Sequence, residues 1–438
     1  MSIEWITILM FGALLLVLAA GMPVAFAAGS IGMVFTILVL GPAGASLGVV
    51  RTFTLMNQYL LAAIPLFIFM AAILERSGIM EELYEVIYRW MGALRGGVAS
   101  ATVVACTLLA AMVGVIGASE TTMSLIALPE MFKRGYDRRL AMGAILAGGT
   151  LGILIPPSVL FIVYGLVANE SVGQLYAGAV VPGLLLSALY IVYITTMSAI
   201  WPQMGPPVPQ EERISFVQKV KLTKGVIVPM ALVAVVLGVM FAGIASPTEA
   251  AGVGAAGSLV IVTLQRKFSW RRLYEACEST LKATAMVLWT IFGANLFVAI
   301  YVAAGGAKFV EDTLLGTGLG PWGVLVLMQL ILIFLGCFLD WVGILMLTVP
   351  IFVPIIKTLG FDPIWFGVLF GVNLQISFLS PPFGYALFYL AGAVGERLSI
   401  PTHEVWWSAL PFIALQLVGL VICMVFPQVI LWLPRALY

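Results

Sequence analysis

Ala147-Gly148-Gly149-Thr150-Leu151-Gly152-Ile153-Leu154-Ile155-Pro156-Pro157-Ser158 is an apolar string that ends in a double proline, and its ending returns later as Leu379-Ser380-Pro381-Pro382-Phe383. Gly135-Tyr136-Asp137 returns as Gly360-Phe361-Asp362 at the same spacing. Upstream, Gly117-Ala118-Ser119-Glu120 pairs with Gly336-Cys337-Phe338-Leu339-Asp340, and Leu128-Pro129 with Val349-Pro350, at nearly that spacing. The chain therefore reads as a duplicated unit. Each double proline sits inside a long apolar stretch, 141–167 and 366–394. Proline lacks the backbone N–H and clashes with the preceding turn, so both stretches are predicted to be broken helices.

A break frees carbonyls, here those of Gly152, Ile153 and Leu154 and of Ile376, Phe378 and Leu379, and leaves Ser158 and Ser380 placed to cap a restarting half-helix. Freed carbonyls are hard oxygen ligands suited to Na⁺, and half-helix N-termini offer partial positive charge to an anion. Neither role needs a charged side chain. A simple kink would use the same prolines, but two motifs placed equivalently favour a site.

The setting is lipid. Of 438 residues 62% are hydrophobic and 9% charged, against about 45–50% and 25% in soluble domains. Apolar runs at 6–20, 24–40, 226–240 and 325–335 leave no room for a soluble domain. The polar, proline-rich interval 201–224 reads as a cytoplasmic linker between halves. A net charge of +1 with scattered Lys and Arg gives no case for nucleic acid. Cys106, Cys277, Cys337 and Cys423 stand singly, so neither disulfide nor metal is inferred. The first apolar run follows Glu4 without Lys or Arg and is expected to stay as a transmembrane helix.

Basic residues cluster at 76–95, 133–139, 213–224 and 266–272, which the positive-inside tendency places in the cytoplasm. The stretch between Arg95 and Lys133 is shorter than the about 40 residues two crossings need, so a re-entrant hairpin fits better, its tip at 114–122. Lys133, Arg134, Arg138 and Arg139 surround Asp137, whereas only Lys357 stands near Asp362. Equivalent loops thus face opposite sides, the pattern of inverted repeats with sites near the midplane. The expected fold is an all-α polytopic membrane protein. It has a first inverted repeat at 1–200 (hairpin about 97–132, broken helix about 141–167), a linker at 201–224, and a second repeat at 225–438 (hairpin about 321–357, broken helix about 363–394). Each half supplies about five spans and a hairpin, with both termini outside.

Glu120 and Asp340 are the acidic residues of the tips, readable as sodium ligands, proton carriers or helix caps. Asn373, Gln375 and Ser377 make the second broken segment polar, for a wet cavity or for helix-to-helix bonding. Glu249 reads as an N-terminal turn residue after Pro247, and His403 as a loop residue without catalytic role. The small residues of 252–257 suit close helix packing. Segments 80–90 and 268–281 read as helices lying in the interface. A lone histidine and no Ser/His or paired-Asp set argue against an intramembrane enzyme.

The sequence resembles the large membrane subunit of the tripartite ATP-independent periplasmic (TRAP) transporters. The resemblance is carried by Ile64-Pro65-Leu66-Phe67, Gly117-Ala118-Ser119, Pro129-Glu130-Met131, Arg134-Gly135-Tyr136, the string 147–158, Thr248-Glu249-Ala250-Ala251, Phe338-Leu339-Asp340 and the 373–382 segment. It implies a bacterial inner-membrane, elevator-type importer of organic anions driven by Na⁺, with no other cofactor. It further implies two partners, a four-helix small membrane subunit and a periplasmic substrate-binding protein. The family's sodium and substrate sites carry over to Ser119, Glu120, Thr121 and Thr122 with Thr150, Gly152, Ile155, Pro156, Pro157 and Ser158. In the second half they carry over to Gly336 and Asp340 with Asn373, Ser377, Ser380, Pro381 and Pro382. Many relatives have small residues where Glu120 and the two threonines stand, so side-chain ligands there are an open matter. Aromatics around Trp341 and Phe383 point toward less polar monocarboxylates or aromatic acids. A stand-alone Na⁺-coupled carboxylate carrier or ion exchanger is the alternative reading.

Overall fold

The structure is a computed structural model that describes residues 2–114, 116–381, 384–398 and 400–438. Helices α1 (Ile3–Ala19), α2 (Val24–Leu40), α3 (Ala45–Met56), α4 (Ala63–Arg76) and α5 (Ile79–Met91) open the first half. Then come α6 (Gly97–Val113) and α7 (Ile116–Lys133), the first hairpin; α8 (Arg138–Thr150) and α9 (Val159–Ala168), the pieces of the first broken helix; and α10 (Val172–Ile200). The second half repeats the plan with α11 (Phe216–Phe241), α12 (Pro247–Leu264), α13 (Trp270–Ala303), α14 (Gly306–Leu315), the hairpin α15 (Gly320–Gly336) and α16 (Trp341–Thr358), the broken pair α17 (Pro363–Leu379) and α18 (Tyr385–Leu398), then α19 (Thr402–Val425) and α20 (Gln428–Leu437). Among the described residues seven helical stretches are long and apolar enough to cross a membrane, so the protein is multi-pass.

The repeated Gly-aromatic-Asp motif is punctuation. Gly135 and Gly360 take φ of 76° and 79°, a left-handed backbone that glycine adopts without penalty. The next amides reach back, Tyr136 N to Met131 O and Phe361 N to Ile356 O, both at 3.0 Å, closing α7 and α16 in Schellman fashion. Asp137 then accepts from Leu140 N to start α8, and Asp362 from Ile364 N and Trp365 N to start α17. One motif thus ends each hairpin and begins each broken helix.

Packing is reciprocal between halves. Helix α2 lies along α13 as α12 lies along α4, α8 packs on α19 as α17 packs on α10, and α7 meets α18 as α16 meets α9. Of the hairpins and broken helices, α6, α8, α9, α16 and α17 are largely buried, with Trp365, Tyr164, Phe161 and Phe370 among their enclosed side chains, while α15 exposes Val326, Leu330 and Phe334 and α18 exposes Phe388. By contrast α1, α2 and α11–α13 expose large apolar residues such as Leu16, Phe26, Val217 and Leu264, as surfaces facing lipid do.

Two local expectations need correction. Residues 268–281 form no separate interface helix; from Trp270 on they are the start of α13, which runs unbroken for 34 residues, because no proline or glycine interrupts them. His403 is not in a loop but in the first turn of α19, since Pro401 serves as the preceding N-cap. Segment 80–90 is a separate helix, α5, and its apolar stripe is buried on α6 and α11. Glu249 closes a capping box with Ser246 at the start of α12. The small-residue run of α12 packs on α4, where Gly254 leaves space for Met70.

The linker is fastened rather than loose. Met204 O accepts from Asp137 N at 3.0 Å, Gly205 O from Gly96 N at 2.8 Å, and Val208 N donates to Gly92 O at 2.8 Å.

Candidate functional site

At the first tip Gly114 ends α6 with φ 65°. A Cβ there would stand 2.6 Å from Pro157 O, so only glycine lets the tip seat on the double proline. Ser119 and Glu120 are buried and Thr121 and Thr122 half-buried. Glu120 lies against α8, where a side chain on Gly149 would come 2.9 Å from the Glu120 Cβ. Neither carboxylate oxygen of Glu120 has a hydrogen-bond partner among the described residues.

Across from this tip, α8 passes through a 3₁₀ turn at Leu151–Ile153 and stops. Pro156 and Pro157 have no N–H, so the carbonyls of Gly152 and Ile153 lose the donors that a continuous helix would provide. The Ser158 hydroxyl does not cap α9. It turns back and donates to Ile153 O, because that carbonyl is the nearer orphan. Tyr176 Oη donates to Ser158 O at 3.0 Å, and Thr150 Oγ1 to Ala147 O at 3.0 Å. Ile155 packs on α10 beside Gly183 and is an anchor by side chain.

The second tip repeats the device with different residues. A Cβ on Gly336 would fall 2.1 Å from the Cβ and Oγ of Ser377, so the hairpin backbone lies directly on α17. Asp340 caps α16, its Oδ1 accepting from Gly343 N at 3.1 Å. Its carboxylate borders a cavity of about 780 Å³ between the second tip and the α1–α2 turn, walled by Phe26, Trp289, Phe334, Phe338 and Tyr385. Ser380 also fails to cap a restarting helix: it ends α17 and donates to Ile376 O at 2.8 Å. Pro381 follows it, half-buried; Pro382 and Phe383 lie outside the described residues.

The structure thus gathers the first tip with the first double proline, Glu120 against Gly149 and Gly114 against Pro157, and Gly336 with Ser377 at the second. Asn373 stands apart. Its Nδ2 donates to Gln329 Oε1 at 2.7 Å and Gln329 O at 3.0 Å, tying α17 to the middle of α15 rather than to the tip. Gln375 faces the other way and donates to Gly371 O. Sequence reasoning missed Gln329, a lone polar residue in an apolar run and so a legible signal. It also missed Tyr385 and Tyr389, one turn apart on α18; the Tyr389 ring covers Gly117. Among the described residues no three of His, Cys, Asp and Glu gather into a metal-binding group.

Residues 11–429 match the family model of the tripartite ATP-independent periplasmic transporter DctM component. The chain belongs to the DctM family. Similar relatives are the C4-dicarboxylate TRAP transporter large permease proteins DctM of Pseudomonas aeruginosa, 32% identical over 91% of this chain and 92% of that one, and of Vibrio cholerae, 31% identical over 100% and 98%. The ectoine/5-hydroxyectoine large permease UehC of Ruegeria pomeroyi is 31% identical over 87% and 89%. Among solved structures the Alcanivorax borkumensis YdaH transporter aligns with a TM-score of 0.63 at 15% identity, over 95% of this chain and 98% of that one. That likeness concerns fold alone. As a DctM-type large permease the chain is a transport subunit, not an enzyme.

Proposed function

We propose that this DctM-family chain is the transport subunit of a Na⁺-coupled importer of organic anions, carboxylates above all, in a bacterial inner membrane. It receives substrate from a periplasmic binding protein, works beside a four-helix small membrane subunit, and moves its hairpin-bearing core against α1–α4 and α11–α13 in an elevator cycle. The observation that carries this reading is an orphaned polar group at each tip-to-broken-helix contact: Glu120 in the first tip, and Ser377 of α17 beneath the second, whose buried Oγ has no partner among the described residues. A buried polar atom without a partner is costly. A hard cation seated between the Gly152 carbonyl and the first tip would satisfy such oxygens, as would one between the Phe378 carbonyl, in the last turn of α17, and the second.

The coupling logic follows from differential binding. An ion that closes a tip onto its broken helix shifts the population toward the closed form, and substrate shifts it further. Relatives are named for C4-dicarboxylates, ectoines and sialic acid, so the organic anion must be found by assay.

The test is uptake of a labelled carboxylate panel into proteoliposomes holding this chain and the small subunit under an inward Na⁺ gradient, with and without binding protein. Uptake requiring both supports the proposal. Uptake without binding protein favours a stand-alone carrier. Uptake indifferent to Na⁺ removes sodium from the cycle. Replacing Ser119 or Ser380 by alanine is expected to raise the Na⁺ needed for half-maximal rate.

A further inference from the structure

Between α12 and α13 the chain passes through Gln265-Arg266-Lys267-Phe268-Ser269 and enters the helix at Trp270-Arg271-Arg272. The acidic residues nearby do not neutralise this cluster. Lys267 pairs with Glu82 at 2.7 Å, while Arg271 and Arg76 share Glu275 at 2.9 and 3.1 Å. Among the described residues Arg266 and Arg272 meet no carboxylate; Arg272 donates to the Lys267 carbonyl instead. The cluster frames an open cleft of about 570 Å³.

Beside the basic collar runs an apolar one. Trp270 is 78%, Tyr274 71% and Leu281 70% exposed, and their spacing puts them on one stripe of α13. At 1.5 Å per residue the 34-residue helix is about 50 Å long, well beyond the roughly 30 Å hydrocarbon core. Its first turns therefore reach headgroup level, where tryptophan and tyrosine prefer to sit.

The other repeat supplies a control. Counted by the spacing that relates the two double prolines, α3 is the counterpart of these first turns. It exposes Val49, Val50, Phe53 and Met56, so the apolar stripe is common to both, but Arg51 is its lone basic residue. Inverted topology puts the two on opposite faces, with the basic copy cytoplasmic. Charge, not burial of apolar surface, distinguishes them.

We propose that the collar at the start of α13 is a docking surface for anionic phospholipid headgroups, with Trp270 and Tyr274 seated at the boundary of headgroup and hydrocarbon. It rests on the membrane orientation given above and not on the transported substrate or coupling ion. Charge complementarity names the occupant, since clustered Lys and Arg beside a membrane attract acidic lipid, each added charge strengthening the hold.

The full-length chain, purified in neutral detergent, is offered phosphatidylglycerol or phosphatidylcholine, and retained lipid is read by native mass spectrometry with thermal unfolding alongside. Phosphatidylglycerol is expected to be kept preferentially and to raise the melting temperature more. Arg266→Gln and Arg272→Gln break no ion pair, so both should fold, and each is expected to lower phosphatidylglycerol retention roughly 5-fold. Arg51→Gln in α3 should leave it unchanged. Equal retention of the two lipids, retention untouched in the Arg266/Arg272 double variant, or displacement of the lipid by inorganic phosphate at matched ionic strength would each overturn the proposal. The last result would mark a small-anion site. Because no transport is measured, a failure here is separable from a failure of the transport reading.

Discussion

Arg134, just past the end of the first hairpin, holds Glu212 of the linker at 2.5 Å. The same guanidinium binds Glu130 at 2.6 Å and lies over the Tyr88 ring. One side chain therefore joins the linker, the hairpin base and α5. Around it the Met204, Gly205 and Val208 bonds make the linker a strap across one end of those elements.

The strap should loosen in acid. The hydrogen bond from Arg134 holds the Glu212 carboxyl below its ordinary value. A carboxyl depressed in the folded state adds stability above its unfolded pKa and loses it as pH falls through the folded value. Fastening is thus expected to be full at neutral pH and to fade from roughly pH 4.5 downward. Hydrogen exchange at Gly96 and Val208, corrected for intrinsic pH dependence, reports it. Glu212→Gln should flatten the profile, and a Gln variant with the wild-type profile would remove Glu212 from the strap.

Gly336 is set for close approach, so Gly336→Ala should push the second tip off Ser377 and cost about 1–3 kcal/mol, as overpacking does. Gly252, in α12, has open space on that side: an added methyl would find nothing within 4 Å. Gly252→Ala is expected to be neutral or stabilising by up to ~1 kcal/mol through helix propensity. Thermal unfolding of the pair in one detergent checks the contrast.

The Asn373–Gln329 bond joins helices inside the core. A double-mutant cycle with Asn373→Ala and Gln329→Ala should give a coupling of about 0.5–2 kcal/mol, the range for interhelical bonds in membranes. Purely additive losses would mean that the two amides act independently.

Ser158→Ala strips the donor from the orphaned Ile153 carbonyl and should destabilise by about 1–3 kcal/mol. Ser158→Thr keeps a hydroxyl and should recover part of the loss. If the first tip binds Na⁺, stabilisation by Na⁺ over K⁺ in a melting assay should shrink in the alanine variant.

Much of the plan was legible because membrane proteins obey a strict accounting of backbone polar groups. The short interval between Arg95 and Lys133 announced a hairpin, and the double prolines announced the breaks. Ser158 and Ser380 were misread as caps because a serine near a helix start caps more often than it turns back; which orphan is nearer is a matter of geometry. The polar face of α17 was legible as polar, but spacing could not tell that Asn373 reaches Gln329 while Ser377 meets Gly336. The continuity of α13 was missed because charges mixed with apolar residues resemble a separate amphipathic helix.

By itself the sequence determined the membrane setting, the duplication, the hairpins and the broken helices, because composition, proline chemistry and span length act locally along the chain. Tertiary structure alone decided which hairpin faces which break, the exchange of partners between halves, the isolation of Glu120 against Gly149 and the strapping of the linker by Arg134. Those outcomes depend on which residues meet across hundreds of positions, and no local propensity encodes such a meeting.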